Sequence, residues 1–256
     1  MRLKDKVIIV TGGTSGIGAA IATAAIREGA SVLVHGINEA EGKATVDRLG
    51  PKAVLCIADL MNDDASQIIV DGALAAFGKI DGLVNNAAIF GGTNISDQEL
   101  EHYRAMIQIN LTAPLFLIKA AFEELKKTRG SVLNIGSINA HAGESRLLAY
   151  SIAKGGMQTM TRNLANANGV HGVRFNQINP GWVLTEREER DKIAAGAKPG
   201  WPTTLSRTEI PFGAMTTPEQ VAEGAIYWLG DESIPFTGSV FDLDQFTIIG
   251  RNPEKL

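Results

Sequence analysis

Short β-branched apolar runs recur along this chain, and a longer stretch of helical period follows nearly every one of them. The runs fall at residues 7–11, 31–35, 53–58, 82–85, 131–135, 173–178 and 239–243. The helical stretches fall at 17–28, 39–49, 65–77, 97–127, 150–168 and 217–229. Strands apolar on both faces and separated by helices predict a parallel sheet covered on both sides. Pro114 lies inside 97–127 and should kink or divide that helix. Thr217 and Pro218 supply the last helix with an N-cap and a first-turn proline.

No linker, repeat or composition break interrupts the 256 residues, so residues 1–256 are expected to form a single domain. At 45% hydrophobic, the chain has material for a core on each side of a sheet. One long irregular stretch stands out at 182–214. It carries Glu186, Arg187, Glu188, Glu189 and Arg190, then Pro199, Pro202 and Pro211. It follows a strand end, where ligands sit, and long loops in compact domains are usually functional, so a substrate lid is expected there.

A net charge of −4 argues against a large nucleic-acid footprint, which needs a clustered basic excess. No apolar run approaches the ~18 residues of a membrane span, and a glycine-rich segment begins too early for a secretory signal. The single cysteine, Cys56, has no internal partner and lies in the apolar run 53–58, so a buried thiol in a reducing, cytoplasmic setting is expected. No metal site is expected.

The segment Thr11-Gly12-Gly13-Thr14-Ser15-Gly16-Ile17-Gly18 joins the first strand to the first helix. Glycines at 12, 16 and 18 allow a tight turn and a close approach to a pyrophosphate, and the helix N-terminus offers free N–H groups to it. The spacing is G-x-x-x-G-x-G rather than G-x-G-x-x-G. Placed between strand and helix, it makes the expected fold an α/β, doubly wound, Rossmann-like sheet of about seven strands that binds a dinucleotide.

Further motifs follow in order: Asp59-Leu60, Asn85-Asn86-Ala87, Asn110, Ser137, Tyr150-x-x-x-Lys154 and Pro180-Gly181. With the glycine-rich turn, this set resembles the short-chain dehydrogenase/reductase family over nearly the whole chain. The resemblance implies an NAD(P)-dependent oxidoreductase that interconverts a secondary alcohol and a ketone, with Tyr150 as acid/base. It implies that Lys154 holds the cofactor ribose and eases loss of the tyrosine proton, that Ser137 orients the substrate oxygen, and that Asn110 positions a water for proton relay. Asp59, Leu60, Asn86 and Ala87 match contacts to the adenosine half. Val183 and Thr185, after Pro180 and Gly181, match contacts to the nicotinamide carboxamide. A homotetramer is implied too, with helices 97–127 and 150–168 at the interface through Leu115, Phe116, Ile118, Phe122, Met157, Met160 and Leu164. The chain departs from the family pattern at Ala88 and at Gln245, where glycine is usual; the second leaves the tail 246–256 without a match.

The residue types suit the chemistry. Proton exchange with a carbinol oxygen needs an acid/base, and a tyrosine near pKa 10 needs help to ionise at neutral pH. A lysine cation favours the phenolate, and on a helix Tyr150 and Lys154, four apart, share a face. A serine at a strand's carboxyl end can donate to a developing alkoxide. NAD enzymes place an acid at the end of the second strand. Here Gly36 stands there, which favours NADP slightly, while Ile37 offers no cation for the extra phosphate. His35 and Asn38 are candidate phosphate contacts. Glu144, Arg146 and Trp182 flank the catalytic motifs and are candidate substrate contacts. Two other classes fit the same motifs: a non-catalytic dinucleotide-binding sensor or scaffold, and an epimerase or dehydratase on the same fold.

Overall fold

Seven strands pair side by side into one sheet: β1 (Val7–Val10), β2 (Ser31–Gly36), β3 (Ala53–Ile57), β4 (Gly82–Asn85), β5 (Ser131–Ile135), β6 (Arg174–Pro180) and β7 (Val240–Leu243). Their order is β3-β2-β1-β4-β5-β6-β7, and every pairing is parallel. This is the doubly wound Rossmann-like α/β fold. The computed structural model describes residues 1–141 and 143–246; beyond Phe246, the expectation about the tail lies outside the described residues.

Side chains of a strand alternate between faces, so a sheet buried on both sides feeds two cores. Ile8, Val10, Val32, Val34, Leu133 and Ile178 pack on one face under α1 (Gly16–Arg27) and α8 (Pro218–Leu229), with α2 (Glu39–Leu49) contributing Val46 and Leu49. Ile9, Leu33, Leu83, Val132 and Phe175 pack on the other under α3 (Ala65–Phe77), α5 (Ala113–Thr128) and α6 (Leu148–Asn168). Cys56 is buried in that second core, and burial pushes its thiol pKa up. Within β1, Ile8 and Ile9 therefore serve opposite cores.

The stretch 97–127 divides as expected, but into three parts. α4 (Leu100–Ile107) passes through a π turn (Gln108–Thr112) into α5. Pro114 has no N–H with which to continue the α ladder, and the register widens: Ala113 N–H reaches back five residues to Gln108 O. By length and composition the whole run Leu100–Thr128 is apolar enough to cross a membrane, contrary to the expectation that no such run exists. In this fold Leu117, Ile118, Ala121 and Leu125 bury its inner side against the sheet.

The stretch 182–214 is not irregular. It holds α7 (Glu186–Ala194), capped by Thr185 Oγ1 accepting the Glu188 N–H at 3.1 Å, and a 3-10 turn (Trp201–Thr204). No residue of α7 is buried, so it lacks the apolar stripe by which helices are recognised in a sequence. Trp201, Ile210 and Met215 form a small core of their own, with Trp182, Leu184 and Leu205 packed on it. The segment is fastened at its base by a bridge between Val183 and Thr216.

Candidate active site

The carboxyl ends of β1 and β4 meet where the strand order reverses, the point at which such sheets bind ligands. Thr11 ties these ends together. Its hydroxyl donates to Val84 O at 3.2 Å and accepts the N–H groups of Asn86 and Ala87 at 2.9 and 3.0 Å. Asn86 Nδ2 then donates to the carbonyls of Thr11 and Gly12 at 2.9 and 3.0 Å. The glycines fit this closure. Gly12 has φ +60°, and a Cβ on Gly18 would lie 2.1 Å from Gly12 O. The N-terminus of α1 is left open: Ser15 makes no side-chain cap bond, and no acid stands in the first turn. Thr14, Ser15, Gly16 and Ile17 thus frame a helix terminus suited to a dinucleotide pyrophosphate.

Several expected contacts bond the protein's own backbone. His35 is buried, with Nε2–H donating to Ala58 O at 3.0 Å and Nδ1 accepting Gly12 N–H at 3.3 Å. Desolvation lowers its pKa, so it is a neutral prop beneath the turn rather than a phosphate contact. Asn38 Oδ1 caps α2 by accepting from Ala40 and Glu41 N–H at 3.0 and 3.2 Å. Asn86 spends its side chain on the turn rather than on an adenosine ribose. Asp59 stays exposed and accepts Met61 N–H at 2.9 Å; Leu60 is buried, and its carbonyl accepts from Gln108 Nε2 at 3.1 Å. A Cβ on Gly36 would stand 2.6 Å from Thr14 Cγ2, so a side chain there would emerge against the glycine-rich turn.

Ser137, Tyr150 and Lys154 come together at the carboxyl end of β5. Lys154 is 2% exposed; its Nζ donates to Ile135 O at 2.7 Å and lies 5.6 Å from the centre of the Tyr150 ring. Burial with no carboxylate partner lowers its pKa from 10.5 to about 8. Tyr150 keeps a partly exposed edge, but its hydroxyl end is desolvated, which pushes its pKa up to about 12; a hydrogen bond from Ser137 offsets part of that rise. The trio therefore presents a protonated phenol, a cation that is mostly charged at neutral pH, and a hydroxyl donor, all at one sheet edge.

Asn110 sits in the π turn and is fully buried. Its Oδ1 accepts Ile89 N–H and its Nδ2 donates to Ile89 O, both at 3.0 Å. Its side chain is committed to the main chain after β4, which leaves only its backbone for the water-positioning role that the resemblance implies. Trp182 is also committed: Nε1 donates to Glu188 at 2.8 Å, and its ring stacks on Trp201 at 5.5 Å. Glu144 and Arg146 are exposed on a loop that docks through Leu147 beside Thr93. Pro180 and Gly181 carry the chain off β6 towards Val183, which is buried, and Thr185, whose methyl faces Gly16 at 3.4 Å from where a Cβ would stand. The base of the segment 182–214 therefore lies against the glycine-rich turn.

Two neighbours of the trio carry no motif and were not legible. Phe90 meets the Tyr150 ring edge-on at 5.2 Å, and Asn179 accepts the Ser137 N–H at 3.1 Å. A phenylalanine in a loop and an asparagine in a strand give no signal in one sequence.

Comparison with known proteins agrees with this geometry. The short chain dehydrogenase family pattern matches residues 6–194. The chain is 35% identical to an L-fucose dehydrogenase of Mus musculus, over 93% of this chain and 86% of that one. It is 31% identical to 2-(S)-hydroxypropyl-CoM dehydrogenase 3 of Xanthobacter autotrophicus, over 95% and 96%. It is 33% identical to a 3-alpha-(or 20-beta)-hydroxysteroid dehydrogenase of Mycobacterium bovis, over 97% and 92%.

The buried lysine has a measurable consequence. Its folded pKa lies below its unfolded value, so between about pH 8 and pH 10.5 the unfolded chain holds the proton more tightly. Stability contributed by this group should rise with pH across that window, by up to about 3 kcal/mol. Urea unfolding of the wild type and of Lys154→Met, at about pH 7.5 and about pH 10, should show the wild type gaining on the variant as pH rises. A difference independent of pH would contradict the buried, unpaired cation.

Proposed function

The chain belongs to the short-chain dehydrogenase family, and from that premise we propose which residues carry its reaction. The protein is an NAD(P)-dependent oxidoreductase that acts on the CH–OH group of small-molecule alcohols, interconverting a secondary alcohol and a ketone. The observation that carries the assignment is the junction of Ser137, Tyr150 and Lys154 at the carboxyl end of β5, with the buried Lys154 ammonium 5.6 Å from the centre of the Tyr150 ring.

The substrate oxygen is held by Ser137 and Tyr150. In the reductive direction the Tyr150 phenol gives its proton to the substrate oxygen; in the oxidative direction the phenol first releases its proton to solvent, and the resulting phenolate takes the alcohol proton. A nicotinamide dinucleotide, when bound, would supply the hydride chemistry that this proton transfer completes. Lys154, charged and desolvated, favours the phenolate in a medium that screens it weakly. The Thr11–Gly18 turn holds the pyrophosphate, with Asn86 and His35 keeping the turn in shape. The segment 182–214 acts as the lid, and Glu144 and Arg146 meet the polar end of the substrate.

Neither nucleotide gains a charged contact at the end of β2. Gly36 presents no carboxylate against a 2′-phosphate, Ile37 is exposed and uncharged, and Glu39 and Glu41 open α2. The protein should accept both NAD and NADP with a modest preference. Its assembly is a homotetramer in this reading, supported by exposed Leu115 and Phe116 on α5 and Ile152 on α6. Of the other residues expected at that interface, Ile118 and Met157 are buried in the chain's own core, and Phe122, Met160 and Leu164 pack partly against it.

Three measurements test this reading. Tyr150→Phe should lower kcat for secondary alcohols by ~10²–10⁴-fold while nucleotide binding persists; retention of more than about a tenth of the activity rejects Tyr150 as acid/base. Gly36→Asp, made with Thr14→Ser to remove the methyl it would strike, should shift the NAD/NADP ratio of kcat/KM towards NAD by roughly tenfold. An unchanged ratio would mean that position 36 does not face the ribose. Light scattering should give about four times the 27.2 kDa chain mass; a single-chain mass at micromolar concentration would end the tetramer proposal.

A further inference from the structure

The strand ends carry a chain of buried amides that the motifs do not account for. Asn179, on β6, has no solvent exposure. Its Oδ1 accepts the Ser137 N–H at 3.1 Å and Gln177 Nε2 at 2.7 Å. Its Nδ2 donates to Asp242 Oδ1 at 3.0 Å and Gln158 Oε1 at 3.2 Å. Two donors thus face its oxygen, and two acceptors face its nitrogen alongside one ring nitrogen of His141. A flipped amide would set donor against donor and acceptor against acceptor, so the orientation is fixed by chemistry.

The outer partners are fixed in the same way. His141 Nε2 lies 2.9 Å from Asp242 Oδ1, and a carboxylate only accepts, so that nitrogen carries the hydrogen. Its approach to Asn179 Nδ2 at 3.1 Å is then a contact between two donors that share one carboxylate oxygen. Next to Ser137, a Cβ on Gly136 would fall 2.1 Å from Asn179 Oδ1. The backbone that carries Ser137 is therefore seated directly on this amide.

We infer that Asn179 is a positioning residue for Ser137, held in its working orientation by Gln158 and by Asp242 with His141. Asn179 touches no reacting atom. It fixes the Ser137 main chain, and so the point from which the serine hydroxyl reaches the substrate oxygen. This rests on the reading of Ser137 given above. His141 also begins the loop that carries Glu144 and Arg146, so the same carboxylate that steadies Asn179 ties that loop to β7.

The test is a mutant cycle with a structural readout. Asn179→Ala should lower kcat about tenfold in the wild type but less than about twofold in a Ser137→Ala background, because its effect passes through the serine. The Kd for reduced nucleotide, read by its fluorescence, should stay unchanged. Equal losses in both backgrounds would overturn the proposal, since a general loss of structure is additive. Hydrogen exchange on the nucleotide-free protein gives an independent reading: Asn179→Ala should speed exchange at the Ser137 amide, and unchanged exchange there would overturn it. If Asn179→Ala does not fold, Asn179→Asp serves. It sets a second carboxylate against Asp242, and Asp242→Asn added to it should recover activity and Ser137 amide protection; no recovery counts against the proposal. If the wild type oxidises no alcohol, the functional reading fails, while amide exchange still judges the placement of Ser137.

Discussion

Every strand of this sheet ends at the same edge, because every pairing is parallel. That edge is where the ladder stops and backbone groups lose their partners, and buried backbone groups left unpaired are costly. Polar side chains at the edge answer this need first. Thr11 and Asn86 close the gap between β1 and β4, His35 meets Gly12 and Ala58, Asn110 meets both backbone groups of Ile89, and Asn179 meets Ser137. Ser137 and Lys154 share in this work: Lys154 Nζ donates to Ile135 O and Ser137 Oγ accepts the Asn139 N–H, so the proposed site is built from the same edge that closes the sheet.

This division explains how far the sequence could be read. The strands and helices were legible because two-faced burial writes itself as continuous apolar runs: α2, α3, β4 and β5 fall at the residues that periodicity indicates. The glycine-rich turn showed itself by its spacing between strand and helix, and Tyr150 with Lys154 by lying four apart on a helix, whereas Ser137 came from the family resemblance. Helix α7 was hidden because none of its residues is buried, so its period left no trace. His35, Asn38 and Asn86 stand at the expected edge, and each bonds the protein's own backbone there. A sequence shows that a polar residue lies at a strand end; it does not show whether that residue turns towards a ligand or towards its own backbone.

Gln245 illustrates the same limit from the other side. As a departure from the family's glycine it left the tail unmatched. In the structure its amide behaves as a detached piece of backbone: Oε1 accepts Phe212 N–H at 3.0 Å, and Nε2 donates to Ala214 O at 2.6 Å. It thereby fastens the far leg of the segment 182–214 to the end of β7. Next to it, Asp244 packs so closely on β6 that a Cβ on Gly181 would lie 2.1 Å from its carboxylate. Both legs of that segment, at Gly181 and at Phe212, therefore meet one short stretch after β7, which adds to the bridge at the segment's base and to the small core it forms for itself.

Lys154 is a costly choice if stability is the only criterion. A cation with only a carbonyl partner, far from water, lowers its own pKa and costs free energy that a neutral side chain would not. Its effect on Tyr150 follows from the same desolvation. In water a charge beside the ring would be screened to little effect, whereas in this site its field falls on a phenol that burial has made harder to ionise. Burial thus works against both groups separately and for them jointly: it raises the tyrosine, lowers the lysine, and strengthens the attraction that a phenolate would feel once formed. The lysine's pKa of about 8 keeps it mostly charged at neutral pH while holding a pool of proton affinity close to that of the surroundings. A fully solvated lysine would remain charged but lose its field, and a more deeply desolvated one would keep the environment but lose its charge.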